Sequence, residues 1–119
     1  MGVVAIIDDD IDVLASLKFL LEVAGHEVAT YHSAIDFLAR GRGEADCLIV
    51  DQHMPQMTGL ELVGRLARTV SPHNIMLITG SLSPAIVEQA SSLGVTIVVE
   101  KPPGNDRLLH FVDNCLQPT

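Results

Sequence analysis

Three acids and two polar donors stand where short apolar runs break off. Asp8 and Asp9 follow Val3-Val4-Ala5-Ile6-Ile7, and Asp51 follows Cys47-Leu48-Ile49-Val50. Thr79 closes Ile75-Met76-Leu77-Ile78, and Lys101 comes just after Thr96-Ile97-Val98-Val99-Glu100. An apolar run that stops at a polar residue reads as a buried strand delivering one side chain to the carboxyl end of a sheet, where open α/β sheets hold ligands. Carboxylates crowded there repel, and they stay ionised near neutral pH only if a cation or strong donors compensate them. Magnesium suits such a set, since it takes oxygen ligands and is usually held by one or two carboxylates plus a phosphate. Lys101 adds a cation and Thr79 a hydroxyl, both suited to the oxygens of a phosphoryl group in transfer. Asp51 is then the candidate nucleophile, and its product would be an aspartyl phosphate.

Other residues with reactive side chains read more plainly. Asp10 and Asp12 fall in the first turn of a helix, where acids complement the macrodipole. His26, His32, His53, His73 and His110 show neither HxxxH nor HExxH spacing and are expected on the surface or in loops, none ligating a metal through its ring. Cys47 and Cys115 lie far from any CxxC spacing and are expected as reduced, packed thiols.

The elements that must position the five site residues can be read in order. Val3 to Ile7 predicts a first strand; Asp10 predicts an N-cap for a helix with Ile11, Leu14, Leu17, Leu21 and Ala24 inward, stopped at Gly25. Glu27 to Tyr31 predicts a second strand, and Ser33 caps a short helix that fades at Gly41-Arg42-Gly43. Asp46 to Val50 is the third strand, followed by a helix from Gly59 with Leu62, Val63, Leu66, Ala67 and Val70 on one face, ended by Ser71-Pro72-His73. Asn74 to Thr79 is the fourth, with Ser83-Pro84 starting a helix that carries Ile86, Ala90 and Leu93 and stops at Gly94. Thr96 to Val99 is the fifth, and Asn105 is expected to cap a last helix with Leu108, Val112 and Leu116 inward. Strands alternating with helices predict an α/β fold: a doubly wound five-stranded parallel sheet with five helices. A flavodoxin-like order 2-1-3-4-5 would set strands one and three side by side and bring Asp8, Asp9 and Asp51 together.

Size and charge narrow the function further. A chain of 119 residues with 48% hydrophobic content is expected to form one domain over residues 1–119. A net charge of -8 argues against collecting nucleic-acid phosphates. No stretch approaches the ~20 apolar residues of a membrane span, and the N-terminus lacks a basic region, so no membrane partner and a cytoplasmic location are expected.

With Ile7-Asp8-Asp9-Asp10, Asp51-Gln52-His53-Met54-Pro55-Gln56-Met57-Thr58-Gly59, Leu77-Ile78-Thr79-Gly80 and Glu100-Lys101-Pro102, the chain resembles the receiver domains of bacterial two-component response regulators over nearly its whole length. The resemblance implies Asp51 as phosphoacceptor, Asp8 and Asp9 as the acid pair holding magnesium, and the backbone carbonyl of His53 as a further metal ligand. It implies Thr79 and Lys101 as contacts to the phosphoryl group, a cis Lys101-Pro102 bond, and a sensor histidine kinase or phosphotransfer protein as donor. Two positions depart from the family pattern: Val98 stands where Tyr or Phe is usual, and Pro103 where Phe is common. The expected switch is therefore a movement of the loop after Thr79 without a large side-chain change in the fifth strand.

Among competing functions, a magnesium-dependent phosphatase working through an aspartyl phosphate needs an acid two residues after the nucleophile, where this chain has His53. A flavin carrier needs a Gly, Ser and Thr cradle after the first strand, where this chain is acidic. A receiver that binds partners without phosphorylation is at odds with the complete acid set. No output element follows the fifth helix in this sequence, so the output is expected from a partner or a domain outside it.

Overall fold

Strand and helix boundaries follow the apolar pattern closely. The structure, a computed structural model, describes residues 2–66 and 69–116. Its elements run β1 (Val3–Ile7), α1 (Ile11–Val23), β2 (Glu27–Tyr31), α2 (Ala34–Arg40), β3 (Cys47–Asp51), α3 (Gly59–Arg65), β4 (Ile75–Thr79), α4 (Pro84–Ser92), β5 (Ile97–Glu100) and α5 (Asn105–Leu116), with a short 3-10 turn at Pro72–Asn74. The strands form one sheet in the order β2-β1-β3-β4-β5. Every neighbouring pair is parallel, as the alternation of strands and helices predicts.

Alternate residues of each strand feed two separate cores. Ala5, Ile7, Leu48, Val50, Ile75 and Leu77 pack on one face with Phe37 of α2, Leu62 and Val63 of α3 and Ala90 of α4. Val4, Ile6, Ile49, Met76 and Ile78 pack on the other with Leu14, Leu17 and Leu21 of α1 and Leu108, Phe111 and Val112 of α5. Burying the inner strands on both faces is why β1, β3 and β4 read as continuous apolar runs. Each large apolar side chain so buried contributes about 1.5–3 kcal/mol.

Several boundaries depart from the sequence expectation for local reasons. Asp46 lies before β3; its Oδ2 accepts the Val3 N–H at 2.8 Å and so ties the start of β1 to the approach to β3. Ile11 is 74% exposed, because the helix face defined by Leu14, Leu17 and Leu21 reaches the core only after the first turn; Ala24 is exposed as well. The helix from Gly59 ends at Arg65, where the Leu66 N–H turns back to the Val63 carbonyl and tightens the last turn. Leu66 and Val70 are nevertheless buried, and Ala67 lies outside the described residues. Asn105 is the first residue of α5 rather than its cap, since the Leu108 N–H bonds to the Gly104 carbonyl.

The expected caps at Asp10, Ser33 and Ser83 are present, each side chain accepting backbone N–H groups of the first turn. Gly25 and Gly94 follow α1 and α4 with φ of 96° and 87°, a left-handed conformation that glycine adopts without steric cost.

Candidate functional site

The strand register sets the acids side by side. Ile7 pairs with Val50, so the next residue of each strand, Asp8 and Asp51, emerges at the same level of the sheet edge. Asp51 pairs with Ile78 and Thr79 with Glu100, which puts Thr79 and Lys101 one step further along the same edge. Backbone hydrogen bonds continue past the strands: the Gln52 N–H reaches the Ile78 carbonyl at 2.8 Å, and the Lys101 N–H reaches the Thr79 carbonyl at 2.8 Å. The Lys101-Pro102 bond is cis.

Asp8 and Asp51 are almost wholly buried, and Thr79 is fully so. The Asp8 carboxylate is well supplied with donors, with Oδ1 accepting the Asp10 N–H at 2.9 Å and Oδ2 accepting from Lys101 Nζ at 3.0 Å. Asp51 is not. Its Oδ1 lies 3.3 Å from Lys101 Nζ as an ion pair but has no hydrogen-bond partner. Burial pushes the Asp51 carboxyl above the usual range, and the neighbouring Asp8 charge pushes the same way against the pull of Lys101. Burial also works against the Lys101 charge, but its hydrogen bond to Asp8 and the two carboxylate charges outweigh this and raise its pKa.

A buried anionic oxygen without a donor is costly, and a ligated cation removes that cost. Asp8, Asp9 and Asp51 each offer a carboxylate oxygen, all within 4.8 Å of one another. Oxygen-only donors of high negative charge fit a hard divalent ion rather than a thiophilic metal. Asp9 is the exposed member and faces an open cleft of about 420 Å³ that Asp10, Asp51, His53, Gly80 and Lys101 also line. A larger groove of about 740 Å³ runs beside α4, and among the described residues Glu88 is the charged side chain that lines it.

All five side chains singled out from the sequence are thus brought to one place. Three contributions were not foreseen. The His53 ring is not idle, for its Nε2 lies 3.1 Å from Thr79 Oγ1. Buried Gln52 accepts the Leu60 N–H on its Oε1 at 2.9 Å and anchors the start of α3 beneath Asp51. Glu100 accepts the Leu82 N–H at 3.3 Å and joins β5 to the loop after Thr79. Only Gln52 left a trace in the sequence, as a polar residue directly after a buried strand.

Comparison with known proteins agrees with this geometry. Residues 4–113 match the family described as response regulator receiver domain. The chain is 33% identical over 117 residues to the transcriptional regulatory protein FixJ of Bradyrhizobium diazoefficiens, covering 98% of this chain and 57% of that protein. It is 32% identical over 117 residues to the response regulator protein TmoT of Ectopseudomonas mendocina, covering 98% of this chain and 53% of that protein. The chain therefore spans about half the length of these relatives. Among solved structures, the chemotaxis protein CheY4 of Vibrio cholerae superposes with a TM-score of 0.81 at 28% identity, covering 98% of this chain and 99% of that one. Sequence, topology and the clustered acids converge: the chain belongs to the response regulator receiver domain family.

Proposed function

We propose that this chain is a single receiver domain in which Asp51 accepts a phosphoryl group from a phosphohistidine on a sensor histidine kinase or phosphotransfer protein. An Asp51 carboxylate oxygen attacks phosphorus, the P–N bond breaks as the P–O bond forms, and the imidazole leaves with the bonding pair and takes up a proton. The observation that carries the reading is the buried, donorless Oδ1 of Asp51, held beside Asp8 and Lys101 at the open end of the sheet.

Each neighbouring residue has a role in that reaction. Lys101 pairs with the phosphoryl oxygens after releasing part of its hold on Asp8, and the Thr79 hydroxyl donates to another. Asp8, Asp9 and Asp51, with the backbone carbonyl of His53, would hold magnesium. When bound, that ion supplies positive charge to the transferring phosphoryl oxygens. The protein acts once per phosphorylation and signals through its own changed state, rather than turning over many substrates as a phosphatase would.

The output belongs to another domain or a partner protein, since the relatives are about twice as long. Nucleic acid is no partner of this region at a net charge of -8. A cytoplasmic location goes with a phosphohistidine donor, and among the described residues no helix is long and apolar enough to cross a membrane.

Intact-mass measurement after incubation with acetyl phosphate and magnesium tests the reading. One phosphoryl group is expected on the parent and none on Asp51→Asn. Labelling of that variant at the parental level would overturn the assignment.

A further inference from the structure

The Thr79 hydroxyl carries one hydrogen, and its acceptor must be sought among the polar atoms around it. Thr79 is fully buried, so its hydroxyl must find partners within the protein. Its oxygen accepts the Ser81 N–H at 3.1 Å, and the other polar atom bonded to it is His53 Nε2, also at 3.1 Å. A backbone N–H only donates, so the imidazole nitrogen is the acceptor left for the hydroxyl hydrogen. Asp51 Oδ1 has no hydrogen-bond partner, so the Thr79 hydroxyl does not serve it. The tautomer with the ring hydrogen on Nδ1 lets Thr79 O–H donate to His53 Nε2 and gives the hydroxyl hydrogen an acceptor.

We infer that the His53 side chain is a latch on Thr79: it captures the one hydroxyl hydrogen that the phosphoryl group needs and holds it away from Asp51 until the phosphoryl group arrives. This rests on the phosphoacceptor reading above and goes further by naming what the phosphoryl group competes against. His53 is exposed and lines the cleft over Asp51, so its ring has room to leave once Thr79 turns toward the phosphoryl oxygens. Ser81 is coupled to the same event, because its N–H is bonded to the same hydroxyl oxygen. His53 is thus a positioning residue through its ring, a role separate from any ligation by its backbone carbonyl.

The cost of the latch is one net hydrogen bond, so its removal should tighten binding of a phosphoryl mimic about two- to tenfold. The test is a titration of the metal-free-prepared protein with beryllofluoride at saturating magnesium, comparing the parent, His53→Phe, Thr79→Val and the double variant. His53→Phe keeps the ring volume and the backbone but loses both nitrogens. The expected result is tighter beryllofluoride binding in His53→Phe and no effect of the same change in the Thr79→Val background. Before any mimic is added, His53→Phe should also show faster amide exchange at Ser81. Equal beryllofluoride affinity and equal Ser81 exchange in parent and His53→Phe would overturn the latch while leaving the phosphoacceptor reading intact. A parent that takes up neither beryllofluoride nor a phosphoryl group would overturn both.

Discussion

Gly59 sits so close to Asp51 that a Cβ added to it would lie 2.7 Å from the Asp51 carbonyl oxygen and 3.1 Å from the Gln52 Cα. Both contacts are to backbone, which cannot swing aside as a side-chain tip can. Gly59→Ala should therefore push α3 off the end of β3 and shift the Asp51 carboxylate, at a stability cost of about 1–3 kcal/mol. Urea unfolding measures the cost, and acetyl phosphate labelling should be slower than in the parent. Parental stability together with parental labelling would contradict the packing argument.

Asp51 is held above its usual pKa by burial and by Asp8, so in metal-free protein the folded state binds a proton more readily than the unfolded chain does. Asp51 thus opposes folding above its folded pKa, and the opposition disappears as pH falls toward the unfolded value. In EDTA at neutral pH, Asp51→Asn should therefore melt higher than the parent, and the gap should close on acidification. A lower melting temperature for Asp51→Asn at neutral pH would count against this.

Magnesium should act in the opposite sense by compensating the same charges. At a concentration one hundred times its dissociation constant, a ligand specific for the folded state adds about 2.7 kcal/mol. Thermal melts across a magnesium titration should show this gain in the parent and little of it in Asp9→Ala. Asp9 is exposed, so its loss should cost little stability without the ion. A full magnesium response in Asp9→Ala would remove Asp9 from the ligand set.

The start of α3 is fixed by a reciprocal cap. The Glu61 N–H donates to Thr58 Oγ1 at 3.2 Å, and the Thr58 N–H donates to Glu61 Oε1 at 2.9 Å. Thr58→Ala should cost about 1 kcal/mol in chemical unfolding, with labelling of Asp51 retained. A loss under a few tenths would show that Gln52 and Gly59 hold the helix start unaided.

Much of this was legible beforehand, and the reasons are specific. β1, β3 and β4 announce themselves because both faces are buried, and each run ends in the residue that reaches the site. α1 starts at Ile11 as read, but Ile11 itself is exposed because periodicity marks a helical face and not where the sheet beneath it begins. The end of α3 was misplaced because a tightened last turn at Leu66 leaves the apolar pattern unchanged while breaking the helix. The His53 and Glu100 contacts were invisible because both are exposed polar side chains whose partners lie 26 and 18 residues away. No spacing rule reaches so far.

Val98 is half-buried against the core shared with α4 and brings no ring to β5. Amide exchange with and without beryllofluoride should therefore change over Gly80 to Ser83 and the first turn of α4, with β5 nearly unaltered. Large changes around Val98 with a still loop would refute this.

The bond between the Leu82 N–H and Glu100 gives that motion a form. Ser81 hangs on the Thr79 hydroxyl and must follow when it turns, while Leu82 is held from the side by a carboxylate on the neighbouring edge strand. With one attachment travelling and the next held, the segment would pivot about Leu82, over a range limited by the reach of the Glu100 side chain.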